Sequence, residues 1–310
     1  MKVMKVSMKK LRRLAAVLLW CVLSLFSAGG IGEGAAPLAG KGAQPLRVIS
    51  LYPGHTDNVL ALGGTLVGIS ENDAPDVLPG APRFPLKTGA EPLLALRPDI
   101  VLTRSMAERM NPNLSSVLTR AGVRVISLDP PSWDEFPDYL RRLAEVLGLE
   151  PEAGVKRLSA LRASIAERAR EALASGKRPA RVFVEATARE LHTCAPKSWA
   201  ARLVELAGGV NVAAAAVPLR EGSAIAPWGL ERVLRSLNEG VDVYIVQRGA
   251  MNAATPEDVR ARPWAGALAG VEIAGLPEAD LSRPSLPGLE RGGEALLRIF
   301  YGGDRGAREN

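Results

Sequence analysis

The feature that most constrains this chain is a long apolar stripe set between two alternating stretches. After Pro151, the residues Val155, Leu158, Leu161, Ile165, Ala169 and Leu173 recur at spacings of three and four, which predicts one helix to about Ala174 with a single buried face. At the rise of an α-helix it would reach about 36 Å, longer than a crossover inside one small domain needs. On both sides, runs that suit strands alternate with runs that suit helices, as in βαβ units. The pattern predicts an α/β protein of two α/β lobes joined by a single long linking helix, with a ligand cleft between the lobes.

Before that helix, residues 46–64 (LRVISLYPGHTDNVLALGG) read as strand, turn and helix. Val48, Ile49 and Leu51 suit a buried strand, Pro53 and Gly54 stop it, and Thr56 or Asp57 opens a helix whose apolar face carries Val59, Leu60 and Leu62. Further strands are predicted at 65–70, 99–103 and 123–128, helices at 91–96, 106–121 and 133–147, and a proline-rich loop at 71–88. Beyond Gly176 come strands at 181–185, 241–247 and 272–276 and helices at 198–207, 227–237 and 286–301, so the second half is expected to repeat the first. The resulting division is a signal at 1–29, a flexible leader at 30–45, lobes at 46–150 and 177–303 around a linker at 151–176, and a disordered tail at 304–310.

Charge supports export rather than nucleic-acid binding. Six of the 39 basic residues lie within the first 13 positions, and the remainder equal the 33 acidic residues, so the net charge of +6 belongs to the first 13 residues. Those cations precede the 13-residue apolar run 14–26 and then Ser27, Ala28 and Gly29. This is the grammar of a cleavable secretory signal, and the run is short for a membrane span. Trp20 before Cys21 argues against a lipoprotein anchor, so a soluble, exported, monomeric protein is expected. Cys194 would then be the lone cysteine, with no partner for an intramolecular disulfide.

In open α/β layers, ligands bind at the turns leaving the carboxyl ends of strands. The turn of Tyr52, Pro53, Gly54 and His55 is one such place, and His192 follows the first strand of the second half. These are the two histidines of the chain, both candidate metal ligands through a bound chelate. Arg104, Arg248 and Arg283 lie near predicted strand ends, where guanidinium forks suit anionic oxygens. Trp133, between Pro131 and Asp134, is a candidate flat wall for a ring system. An exported enzyme is the rival class, but no phosphate-cradling Gly-x4-Gly-Lys, Gly-x-Ser-x-Gly elbow or two-histidine zinc motif is present. An adhesive protein would leave the paired histidines unexplained.

Five stretches together carry a resemblance: RVISLYPGHTDNVLALGG at 47–64, EPLLALRPDIVL at 91–102, AGVRVISLD at 121–129, LVELAGGVNVA at 203–213 and LERVL at 230–234. Over about residues 45–302 the chain resembles the helix-linked (class III) substrate-binding proteins of bacterial ABC importers, the group that serves cobalamin, haem and ferric siderophores. The resemblance implies a non-catalytic periplasmic receptor without an intrinsic cofactor. It would capture a metal chelate and deliver it to a permease and its ATPase, touching the membrane only through them; a bare metal ion or an oxyanion is the alternative cargo. It also implies that Glu91 and Glu231 dock onto permease arginines, and that Tyr52 is a candidate axial ligand. The helical linker implies modest lobe motion.

Overall fold

The computed structural model describes residues 44–302; the predicted signal and tail, and all but the end of the predicted leader, lie outside the described residues. The first lobe runs β1 (Arg47–Ser50), α1 (Pro53–Ala61), β2 (Thr65–Ser70), β3 (Arg83–Phe84), α2 (Ala90–Leu94), β4 (Ile100–Thr103), α3 (Ser105–Met110), α4 (Leu114–Arg120), β5 (Arg124–Ser127) and α5 (Phe136–Leu147). Its five strands are parallel, in the order β3-β2-β1-β4-β5. The chain goes to one side of β1 to make β2 and β3, then returns to its other side for β4. The sheet therefore has its topological switch between β1 and β4, where a crevice opens at the strands' carboxyl ends.

Two local departures from the sequence reading have simple causes. The helix predicted at 106–121 is two helices, because Pro112 lacks an amide hydrogen and drives Asn111 out of the helical region, to φ −141° and ψ 74°. In addition, α1 starts at Pro53 rather than at Thr56 or Asp57. Proline suits the first helical position, so the helix begins directly after β1.

The linking helix α6 (Pro151–Ala174) buries Leu158, Ile165 and Ala169, with Val155, Leu161 and Leu173 packed beside them. The second lobe follows as β6 (Arg181–Thr187), β7 (His192–Cys194), α7 (Trp199–Leu206), β8 (Val210–Asn211), β9 (Ile225–Ala226), α8 (Leu230–Asn238), β10 (Val243–Arg248), α9 (Pro256–Arg260), β11 (Glu272–Pro277), α10 (Glu278–Leu281) and α11 (Leu286–Tyr301). Here β6, β8, β10 and β11 run parallel, β7 runs antiparallel to β6, and β9 pairs antiparallel with β7 and so runs in the direction of β6. The second half thus does not repeat the first: β7 folds back along the end of β6, and β8 takes the start of the same edge.

One core joins the lobes. Val48, Ile100 and Leu102 of the first sheet, Leu158 and Ile165 of α6, Val182, Val184, Val243 and Ile245 of the second sheet, and Leu289 and Leu296 of α11 belong to one buried cluster. Each such side chain contributes about 1.5–3 kcal/mol. Where α11 crosses α6, a Cβ at Gly293 would overlap Ile165, so glycine sets that approach. Inside the second lobe the fully buried Glu185 receives both arms of Arg262, at 2.5 and 2.9 Å, and bonds from Tyr244 and Asn252. That network holds β6, β10 and the segment after α9 together.

Candidate functional site

Because β1 and β4 are neighbours in register, with Ser50 opposite Leu102, the residues that leave them emerge side by side. Tyr52 caps α1, and the Arg104 guanidinium lies 4.4 Å from the centre of its ring. A cation over an aromatic face is attracted by the ring's quadrupole, which fixes both groups at the switch point. Burial raises the Tyr52 pKa, opposed by Arg283 and then Arg104, and reinforced by Glu278 and Asp57. The phenol therefore feels the charges of two cations and two acids, drawn from both lobes.

Across the seam, the turn between α10 and α11 carries Arg283. Asp57, on α1, feels Arg283 most strongly among its charged neighbours, and burial pushes its pKa up. Next to it, the buried Asn58 donates to the backbone carbonyls of Gly54 at 2.8 Å and Pro284 at 3.0 Å, and accepts from the amide of Leu286 at 3.0 Å. One side chain of the first lobe thus satisfies the backbone of the second beside the site. Three polar atoms nearby are buried without a hydrogen-bond partner: Oδ2 of Asp57, Nε of Arg104 and Nε of Arg283. Glu278 completes the set, its carboxylate lying over Gly249 at the end of β10.

The histidines are placed differently from the sequence expectation. His55 is 1% exposed, with Nε2 3.2 Å from the Thr103 carbonyl and Nδ1 2.8 Å from the Tyr139 hydroxyl. A carbonyl only accepts, so Nε2 carries the proton and Nδ1 takes the tyrosine hydrogen. Both nitrogens are spent within the first lobe, and burial holds the pKa down at about 4. His55 as placed is a core histidine and has no nitrogen left for a metal. His192 begins β7 and lies half-buried, with Nε2 3.3 Å from Glu190. Each histidine is engaged in its own lobe.

Trp133 also departs from expectation. It is 8% exposed, packs 4.7 Å from Trp199 of the second lobe, and carries the Arg162 guanidinium of α6 4.0 Å from its ring centre. Arg162 also donates to the Trp133 carbonyl at 2.8 Å. The ring is a joint between both lobes and the linker, not an open wall. Pro53 and Gly54 are buried in the first turn of α1, and Arg248 is exposed at the end of β10, opposite Pro277. Glu91 and Glu231 are exposed in the first turns of α2 and α8, Glu231 with Arg235 at 3.0 Å. Cys194 is buried, its thiol pushed up to about 11 by burial, which makes it unreactive.

Asp57, Asn58 and Glu278 were not among the site residues expected from sequence. A signal existed for Asn58: an amide beside Val59, on a helix that packs on a sheet, must find buried partners. Asp57 was hidden by its apparent role as a helix opener.

Two α/β lobes on a single helix, with a charged, partly unpartnered seam at the strand ends, define a helix-linked two-lobed binding protein. The chain belongs to the periplasmic binding protein family, whose profile matches residues 48–272. No curated protein sequence matches it. Solved structures share its fold. A periplasmic haem-binding protein from Pseudomonas aeruginosa has TM-score 0.64 at 22% identity, with 84% of this chain and 94% of that one covered. A periplasmic haem-binding protein from Roseiflexus sp. RS-1 has TM-score 0.62 at 23% identity, covering 84% and 99%. A periplasmic vitamin B12 binding protein from Vibrio cholerae has TM-score 0.55 at 22% identity, covering 83% and 96%.

Proposed function

We propose that this protein is an exported receptor that captures a metal chelate between its lobes and hands it to an ABC permease and its ATPase. The observation that carries this reading is Arg104 stacked on the Tyr52 ring at the switch point of the first sheet, with the charge of Arg283 of the second lobe acting on the same phenol. Groups from the facing turns of two lobes surround a ligand that neither could bury alone. The structural relatives named above bind haem or vitamin B12, which supports a chelate as cargo. Among the described residues, no group of three or more His, Cys, Asp or Glu side chains stands together to hold an ion. In this reading a metal arrives already wrapped in its organic ligand.

In this reading Tyr52, Arg104 and Arg283 touch the chelate, with Pro53 and Gly54 shaping the turn beneath it and His192 and Arg248 at the rim of the second lobe. No helix among the described residues is long and apolar enough to cross a membrane. Contact with the bilayer would run through the permease, with the receptor acting as a monomer after loss of residues 1–29. Glu91 and Glu231 would mark the docking face, since exposed complementary charges fix register between partners.

The double variant Glu91→Ala/Glu231→Ala separates docking from binding. Its affinity for any chelate bound by the wild type should stay within about two-fold, while cellular uptake of that radiolabelled chelate falls to background. Wild-type uptake by the double variant would remove the docking assignment.

A further inference from the structure

The three methionines among the described residues, Met106, Met110 and Met251, are 44%, 39% and 61% exposed, and none sits in a core cluster. Methionine is a common filler of core gaps, and here none is used that way. All three lie instead in segments leaving the carboxyl ends of strands, β4 in the first lobe and β10 in the second. Met106 and Met110 stand on α3, directly after Arg104; four residues apart, they share one helix face, while Ala107 is buried on another. Met251 lies in the turn that follows β10. That turn is firmly held: Gly249 and Asn252 exchange backbone hydrogen bonds at 3.0 and 3.1 Å, and the buried Asn252 side chain donates to Glu185 at 3.2 Å. Gly249 packs against Glu278 at the start of α10, and beyond α10 the Pro284 carbonyl accepts from Asn58 of the first lobe. The thioethers thus flank the seam from both sides.

An exposed thioether reacts with two-electron oxidants without first losing a proton, unlike a thiol. With hydrogen peroxide, the sulfur lone pair forms an S–O bond as the O–O bond breaks, and the departing hydroxide takes the remaining proton. Sulfur is oxidised by two electrons, the peroxide is reduced, and one sulfoxide and one water result. The cysteine of the described residues, Cys194, is buried and does not compete. A sulfoxide replaces a soft apolar surface with a polar oxygen, which must be stripped of water when a ring system closes over it. We propose that Met106, Met110 and Met251 are sites of sulfoxidation by peroxide-class oxidants, and that this modification weakens capture at the seam, a consequence that rests on the chelate reading above.

The test treats ligand-free protein with hydrogen peroxide, removes the oxidant, and divides the sample between peptide mass spectrometry and calorimetric titration with haemin and with cyanocobalamin. Met106, Met110 and Met251 should each gain one oxygen, at a rate within about three-fold of that of free N-acetylmethionine. Oxidised wild type should bind its tighter probe at least about ten-fold more weakly than untreated wild type. In Met106→Leu/Met110→Leu/Met251→Leu, which keeps apolar bulk but takes up no oxygen at these positions, treatment should change affinity by less than about two-fold. Oxidation elsewhere in the chain is common to both proteins. Met106→Gln/Met110→Gln/Met251→Gln, which places a polar group at each position without oxidant, should reproduce the loss, with circular dichroism confirming that the variants are folded. Slow or absent oxygen uptake at the three positions would overturn the modification sites. Full uptake with unchanged affinity, or an equal loss in the leucine variant, would overturn the control of capture while the chelate reading survives. Failure of untreated wild type to bind either probe would overturn the chelate reading and the control of capture with it, leaving the oxidation sites to stand on the mass spectra.

Discussion

His55 and Asp73 flank the α1 turn and titrate in opposite senses. His55 has its pKa held at about 4 in the folded chain against an ordinary 6.5, so between those values the unfolded chain binds more protons. Its contribution is fully present above about pH 6.5 and is lost as pH falls through about 4, a change of up to about 3 kcal/mol. Asp73 is buried, accepting from Thr56 at 3.1 Å and the Ser70 amide at 2.9 Å, and burial raises its pKa from 3.8 to about 6. Its contribution is therefore present below about pH 3.8 and lost as pH rises through about 6. The two slopes oppose, which predicts a flattened stability profile between pH 4 and 6. In urea unfolding across that window, Asp73→Asn should lose stability on acidification more steeply than wild type, and His55→Gln less steeply, by about 2–3 kcal/mol each. Profiles parallel to wild type in both variants would refute the assignment. The position of His55 after a strand was legible in the sequence, but its direction was not. That direction is set by the Tyr139 hydroxyl, 84 residues further on. Trp133 misled for the same reason: its local neighbours are polar, and its partners Trp199 and Arg162 are remote.

Elements whose burial follows a regular period were readable from residues alone. The linker and the last helix end where their apolar stripes end, at Ala174 and Tyr301, and the strands at the sheet centres are β-branched runs. What escaped was short or nonlocal. β7, β8 and β9 have three residues or fewer and carry no usable alternation, so β7 and β8 are placed by the edge of β6 that they cover, and β9 by β7. Polar fasteners between elements were equally hidden. Arg262→Met should cost about 3–5 kcal/mol in urea unfolding, because it strands the Glu185 carboxylate, and the double variant Glu185→Leu/Arg262→Met should recover most of that loss. Asn58→Leu should cost about 1–3 kcal/mol by orphaning the Leu286 amide and the Pro284 carbonyl. An Arg262→Met protein as stable as wild type would show that the network carries no net weight.

At the scale of the whole molecule, α6, α11 and the cluster they share tie the lobes along one side, and Asn58 ties them beside the site. Opening the lobes far would break that packing, so on the proposed reading the cleft would admit its ligand through small shifts rather than a wide hinge. The alternation of strands and helices around one long helix made this architecture legible in advance. The seam was only partly legible: Tyr52 and Arg104 follow strand ends and Arg283 lies in the turn between α10 and α11, after β11, while Asp57 and Glu278 sit in a helix interior and a short helix that sequence patterns do not single out. The account stands on those two arginines reaching one chelate from opposite lobes. Calorimetric titration of the chelate that wild type binds tightest into Arg104→Ala and Arg283→Ala tests it most directly. Each variant should lose about 30-fold or more, corresponding to roughly 2–5 kcal/mol for a buried charge-assisted contact, whereas wild-type affinity in either variant would place the ligand away from the seam and contradict the account.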